Sequence, residues 1–307
     1  RNDNYGGHFE ERLLDTLRHN TSGLEARGVP FEVVYVEWNP LPDSAPLAER
    51  VALEFPAGRC FVVDPLAHRH LCGNRNIGVM EYHAKNVGVR RAGGDMILIT
   101  NPDNYFGASV LDLLAGPFDE DTLYRAGRID ITEPADVDAQ GVVEAYPEDP
   151  APFGWGAGDF TLCSRSLWER AGGFREDLRF TNTHKDAIFV NTVFDVTGRA
   201  VKSGTTYHLV HGRESEASRR VAYVWQAADR TPQAAYGHED ILVPRSVGER
   251  LTWLDLRPDL QDEARQRVVP EPSTPAALRL PSRPFLKRSL KRLREFLRRK
   301  GLLRRRA

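Results

Sequence analysis

The chain has 307 residues, 41% of them hydrophobic and 28% charged, with a formal net charge of -1. That is enough apolar material for one large core or two small ones. Three cysteines, Cys60, Cys72 and Cys163, lack Cys-x-x-Cys spacing and argue against a disulfide framework or a cysteine zinc site, and for a reducing compartment. No run of 18 apolar residues occurs, so no transmembrane helix is expected, and no signal peptide is evident.

In chain order, residues 8–27 place Phe9, Leu13, Leu14, Leu17 and Leu24 among charges, the pattern of a surface helix. "FEVVYVE" (31–37) and "RCFVVD" (59–64) are continuous apolar runs, suited to strands buried on both faces, and "WNPLPDS" after the first is a turn cluster. Residues 80–94 predict a helix closed by Gly93-Gly94, 95–100 a third strand and 107–116 a further helix. A strand is expected near 123–131 within an otherwise looped acidic stretch (117–150). Strand, turn and helix are expected over 158–174, a helix over 184–198 and a short strand over 205–212. This alternation predicts an α/β fold with a mostly parallel central sheet flanked by helices. Helices are expected in the polar region to about residue 268.

Five prolines in residues 269–284 give that stretch a linker composition. From Phe285 to Ala307 eleven Lys or Arg face one acid, Glu295. The tail thus carries +10 and the remaining chain -11. Leu286, Leu290, Leu293 and Leu297 form a narrow apolar stripe on this basic segment. Such a helix suits an anionic membrane surface; the competing readings are nucleic-acid or acidic-protein binding through the same charges and packing on a partner helix, and nucleic acid is not expected because it has no use for the leucine stripe.

Ligands of parallel α/β sheets bind beyond the carboxyl ends of the strands. Three polar features fall at such ends. "RNDNYGG" (1–7) would follow a strand lying upstream of Arg1. Glu37 ends the 31–37 strand, and Asn101-Pro102-Asp103 follows the 95–100 strand. Each alone has an ordinary reading as a turn, a cap or a solvated strand end. Their coincidence at one sheet edge favours a site.

Together "RNDNYGG", "FEVVYVEWNP", "EYHAKNVGVRRAGGDMILITNPDNYF" and "GDFTLCSRSLWERAGGF" resemble a family 2 type nucleotide-sugar glycosyltransferase of GT-A fold, over roughly residues 1–212. The resemblance implies a Rossmann-like core (1–215), followed by a helical extension (216–268), the linker (269–284) and the basic amphipathic helix (285–307). It implies donor contacts from Asn2, Asp3, Glu37, Lys85, Asn86, Arg90, Asn101 and Asp103. Lys85, Asn86 and Arg90 are expected on one helical face, which is otherwise an ordinary solvated one. The family's Asp-x-Asp motif binds Mg²⁺ or Mn²⁺ at the diphosphate; here it reads Asn101-Pro102-Asp103, leaving Asp103 as the carboxylate.

A late histidine is implied as a second ligand. His208 and His211 are three apart, and strand alternation would put them on opposite faces, so His211 is favoured. Asp186 takes the place of the general base, or is a first-turn acid serving the helix dipole. Asp159 and Trp155 take the acceptor side. The implied activity is sugar transfer, inverting and metal-dependent, from a nucleotide-diphosphate sugar to a glycan or lipid-linked acceptor in polysaccharide or glycoconjugate biosynthesis. The expected location is cytoplasmic, peripheral at the inner membrane face. The alternative is a catalytically inactive, membrane-tethered nucleotide-binding module, with Asn101 as its mark.

Overall fold

The computed structural model describes residues 2–139, 144–145, 159–211 and 223–279. Trp155, residues 216–222 and the basic tail lie outside these residues. The chain divides into two compact units, residues 1–221 with 229–273, and residues 222–228 with 274–307. In the second, the 3-10 turns Trp225–Ala227 and Ala276–Leu278 are tied by Val224 N–H donating to Leu278 O at 2.9 Å.

The first unit holds two sheets. Helix α1 (Phe9–Glu25) precedes β1 (Val33–Trp38). Then come α2 (Leu47–Glu54), β2 (Gly58–Val63) and α3 (Pro65–Leu71). Much later in the chain stand β9 (Leu242–Ser246), β10 (Leu251–Leu256) and α8 (Pro258–Gln266). The first sheet runs β1-β2-β10-β9, with β1, β2 and β10 parallel and β9 antiparallel. Strands β1 and β2 are covered by helices on both sides, which is why they read as continuous apolar runs. Tyr35, Cys60 and Val62 pack toward α1 and α2. Val34, Val36, Phe61 and Val63 pack toward α3, α8 and α4 (Glu81–Arg91).

The second sheet contains β3 (Met96–Thr100), β4 (Asn104–Phe106), β5 (Leu123–Ile131), β6 (Glu144–Ala145), β7 (Phe160–Ser164) and β8 (Ala200–Leu209). Its order is β3-β7-β5-β8-β4, with β6 on β5. Ile97, Ile99 and Cys163 face α4, α6 (Arg165–Ala171) and α7 (Lys185–Thr197). Met96, Leu98, Phe160 and Leu162 face α1 and α5 (Ala108–Leu114).

The α/β layering stands as expected. The pairing differs: β1 with β2, β2 with β10 and β5 with β8 are parallel, and the other pairs are antiparallel. Strand β7 inserts between β3 and β5 and runs antiparallel to both, where a mostly parallel sheet was expected. The region expected to be a helical extension contributes β9 and β10, together with α8 and the 3-10 turn Trp225–Ala227 among the described residues. Strand β10 pairs with β2 and so completes the first sheet.

Candidate functional site

Backbone register assembles the site. Antiparallel pairing of β4 with β8 sets Asn104 opposite His208. Asp103, one residue before β4, therefore lies beside the end of β8, and Leu209 N–H donates to its carbonyl at 3.2 Å. The parallel β5–β8 pairing sets Asp130 beside His208. His208 Nε2 stands 3.7 Å and His211 Nε2 3.1 Å from Asp103 Oδ2. Both histidines converge, although alternation predicted one. The reason is that β8 ends at Leu209: the backbone turns before His211, and the two-residue repeat stops applying.

The donor set is a carboxylate oxygen and two imidazole nitrogens, with Asp103 and His208 both buried. His208 Nδ1 faces Asp130 Oδ1 at 3.2 Å, a distance of ion-pair contact at an angle short of a full hydrogen bond. A proton on Nδ1 turned to Asp130 leaves the Nε2 lone pair toward Asp103, the arrangement metal-binding histidines use. Burial by itself would raise the Asp103 carboxyl. The His211 hydrogen bond and the His208, His211 and Arg12 charges outweigh it and hold the group below the usual carboxylate range. Burial lowers His208 against the pull of the Asp103 and Asp130 charges, which favours the neutral imidazole that a metal needs. These residues fit a divalent cation.

The N-terminal turn reaches the same place. The Tyr5 ring meets the His211 ring edge-on, centroids 5.1 Å apart. Arg12 donates to the Tyr5 and Gly7 carbonyls and fixes the turn. Asn2 is spent on structure: its Nδ2 donates to the carbonyls of Leu41, Ser44 and Ala45, and its Oδ1 accepts from Leu41 N. Asp3 is exposed beside it. Glu37 is fully buried and accepts from Ala48 N at 2.9 Å, at the start of α2, while its Oε1 has no hydrogen-bond partner. Burial raises its carboxyl, against the backbone N–H groups of Ala48, Asn2 and Leu47.

From the Asp103, His208 and His211 cluster a polar line runs across the second sheet. Arg128 joins Asp130 (2.7 Å) to both oxygens of Asp159 (3.0 Å each). Asn101 Nδ2 donates to Asp159 Oδ1 at 2.9 Å, and Asn101 Oδ1 accepts from Lys85 Nζ at 3.0 Å. The amide therefore bridges a carboxylate and an ammonium. An aspartate at 101 would set a second negative charge against Asp159, which is the physical reason an amide suits this position. Lys85 also pairs with Glu81 at 2.6 Å. Asp186, in the first turn of α7, lies within reach of Lys85, Glu81 and Tyr82. Burial raises its carboxyl, the Glu81 and Asp159 charges add to this, and Ala187 N–H and Lys85 oppose it.

Two expected donor contacts point elsewhere. Asn86 donates to Phe174 O and Glu176 Oε1 and accepts from Phe174 N, all within 2.9 Å, so it pins the Gly172-Gly173-Phe174 turn. Gly173 has φ 69°, and a Cβ there would stand 2.8 Å from Asn86 Oδ1. Arg90 pairs with Glu239 and covers the Tyr236 ring. Residues 86 and 90 share one face of α4, and Lys85 points about 100° away from it. Sequence reading missed Tyr5, Glu81, Arg128 and Asp130. Arg128 and Asp130, opposite charges two apart on one strand, carried a usable signal.

No family model matches the chain, and no curated protein matches it. Solved structures that resemble it include a mutant Drosophila β1,4-galactosyltransferase 7 in complex with manganese, UDP-Gal and xylobiose. That chain is 14% identical, with a TM-score of 0.42, covering 82% of this chain and 91% of that one. Another is the catalytic domain of the Drosophila enzyme with xylobiose, 13% identical, TM-score 0.38, covering 76% and 97%. Likenesses this loose carry no argument about the chemistry of this chain.

Proposed function

We propose that this chain transfers a sugar from a nucleotide-diphosphate sugar to a hydroxyl of a glycan or lipid-linked glycan, using a divalent cation held by Asp103, His208 and His211. The observation that carries the reading is the convergence of those three donors beside the N-terminal turn and the Asp159–Asn101–Lys85 line. Two imidazoles favour a transition metal such as Mn²⁺ over Mg²⁺, which wants an all-oxygen shell. When bound, the cation would neutralise charge on the leaving diphosphate. The unpartnered Glu37 Oε1 can accept from a base N–H or a ribose hydroxyl, with Asp3 on the exposed side.

Asp186 is the general base of this reading. It takes the acceptor's hydroxyl proton as the acceptor oxygen bonds to the anomeric carbon. The bond from that carbon to the diphosphate breaks, the nucleoside diphosphate leaves with the electron pair, and the anomeric centre inverts. The raised carboxyl brings this base nearer neutral working pH. Asp159, and Trp155 by its place in the sequence, belong to the acceptor side. The basic segment 285–307 would hold the domain on an anionic membrane at the cytoplasmic face, where polysaccharide or glycoconjugate precursors are built.

A screen of nucleotide sugars with Mn²⁺ tests the reading. One donor should be consumed with metal-dependent release of nucleoside diphosphate. If Asp103→Ala and Asp186→Ala both transfer at the wild-type rate, the assignment is wrong. Nucleotide binding indifferent to Mn²⁺ in calorimetry, with no transfer, would instead mark an inactive binding module. Deletion of 283–307 should abolish flotation with anionic vesicles; unchanged flotation sinks the membrane reading.

A further inference from the structure

A second buried polar cluster lies at the start of α7. His83 of α4 and Lys185, the first residue of α7, are both fully buried. Lys185 Nζ is 3.0 Å from His83 Nε2, and His83 Nδ1 is 2.8 Å from His238 Nε2. His238 Nε2 is 3.4 Å from Glu176 Oε2. Glu176 is held in turn by Asn86 Nδ2 and Gly237 N–H, each 2.8 Å from its Oε1. His238 takes φ 54°, a left-handed conformation rare outside glycine, so the fold spends backbone strain to place it.

The two imidazole planes differ by 4° and their centroids are 5.1 Å apart. That separation is the 2.8 Å contact plus one ring radius at each end. The rings are therefore coplanar and in line, and their facing nitrogens share one proton. A metal would need the lone pairs aimed at a common point, and here they aim at each other.

We propose that Lys185, His83 and His238 form a proton-sharing relay, with Glu176 as its counter-charge, that pins the first turn of α7 and so positions Asp186. The positioning role rests on the reading of Asp186 as base; the relay itself does not. An ammonium only donates, so charged Lys185 forces His83 Nε2 to accept. His83 must then carry its proton on Nδ1 and give it to His238 Nε2. One charge on Lys185 thus fixes the tautomers of two neutral imidazoles, and the Glu176 carboxyl stands 3.4 Å from the same accepting His238 Nε2, as a neighbouring charge and not a further link in the chain. His184, the N-cap of α7, supplies no side-chain cap, so this bond is a main tether of the helix start.

The surroundings agree with this. Burial lowers Lys185 to about 7; Glu176, Asp177 and Cys72 oppose the drop and Arg179 adds to it. Burial raises Glu176 to about 7, against Gly237 N–H, Asn86 and Lys185 and with Asp240. Burial keeps both imidazoles neutral, aided by Lys185 and Arg179 for each, by His68 for His83, and by Arg91 and His70 for His238. Lys185 and Glu176 are therefore a pair coupled through their charges.

The test is nitrogen NMR of ¹⁵N-histidine-labelled full chain, free of substrate, from pH 6 to 9. His83 should read as the Nδ1–H tautomer at pH 6, and its signals should shift as Lys185 loses its proton near neutrality. Glu176→Gln keeps the size of the side chain and removes the opposite charge. It should move that midpoint down by about one unit or more. In the transfer assay the same variant should move the pH break with it. An Nε2–H tautomer for His83 at pH 6, or an unmoved midpoint in Glu176→Gln, overturns the relay even where sugar is transferred. The expected tautomer and shift support it even where no donor is turned over, a result that would count against the function reading alone.

Discussion

Two histidines and a carboxylate meet twice in this fold, and the two meetings are opposite in kind. At Asp103, His208 and His211, the imidazole nitrogens both turn toward one carboxylate oxygen, at 3.7 and 3.1 Å. At His83, His238 and Glu176 the two imidazoles face each other in line at 2.8 Å. The first set can surround a cation, whereas the second can only pass or share a proton. Composition is the same in both; ring orientation, fixed by strand register in one and by helix packing in the other, decides the chemistry. The first cluster sits at strand ends, where ligands of such sheets bind, and the second between α4, α7 and the loop before β9.

The sharpest way to break this contrast is to remove the carboxylate of each function. Asp103→Ala should lower transfer by on the order of 10⁴-fold and abolish Mn²⁺ binding in calorimetry. Asp186→Asn should lower kcat by about 10³-fold and leave Mn²⁺ binding intact. A loss of metal binding in the second variant would erase the distinction between the two roles.

How much of this the sequence showed follows from what each signal depends on. The strands buried on both faces announce themselves as apolar runs, so β1, β2 and β3 were legible, as was β5 at 123–131. Strand β9 was not, because Pro244, Arg245 and Ser246 are exposed on an edge and read as loop. Strand β10 alternates in "LTWLDL" but follows a polar region with no strand signal. Asp103 and His211 were legible from position. His208 was excluded by assuming that the strand continued past Leu209. Asn86 was read as a donor contact, whereas its side chain holds the Phe174 turn. Pairing order was out of reach, because β7 inserts between β3 and β5 through contacts far apart in sequence.

A smaller effect tests the shell around the cation. Asp130 touches His208 Nδ1 and Arg128 and reaches no cation itself. Asp130→Asn should weaken Mn²⁺ affinity by about 10- to 100-fold, because the His208 tautomer and ring angle lose their charge partner. The corresponding change in the second cluster, Glu176→Gln, should leave Mn²⁺ affinity unchanged. Equal losses in both variants would mean that the two clusters are not independent.

The smallest expected effect is on stability against pH, and its sign separates the proton cluster from everything else. Lys185 is lowered to about 7 in the fold, from an ordinary lysine value of 10.5. Between these values the unfolded chain binds the proton that the folded chain has lost, so stability rises with pH from about 7 upward. Glu176 is raised to about 7 from 4.5. There the folded chain holds the extra proton, and stability falls as pH rises from 4.5 to 7. The two groups together give a shallow minimum near neutrality. Above about pH 9 the buried thiols Cys60 and Cys163, raised to about 12, turn the curve down again, because the unfolded chain ionises first. The clean window is therefore pH 7 to 9, where urea unfolding should show wild-type stability rising by roughly 1 to 2 kcal/mol. Lys185→Met should flatten that rise whatever its own stability at pH 7, because the slope reports a proton and not a contact. A slope that survives the substitution would assign the titration elsewhere and leave the second cluster a static hydrogen-bonded core.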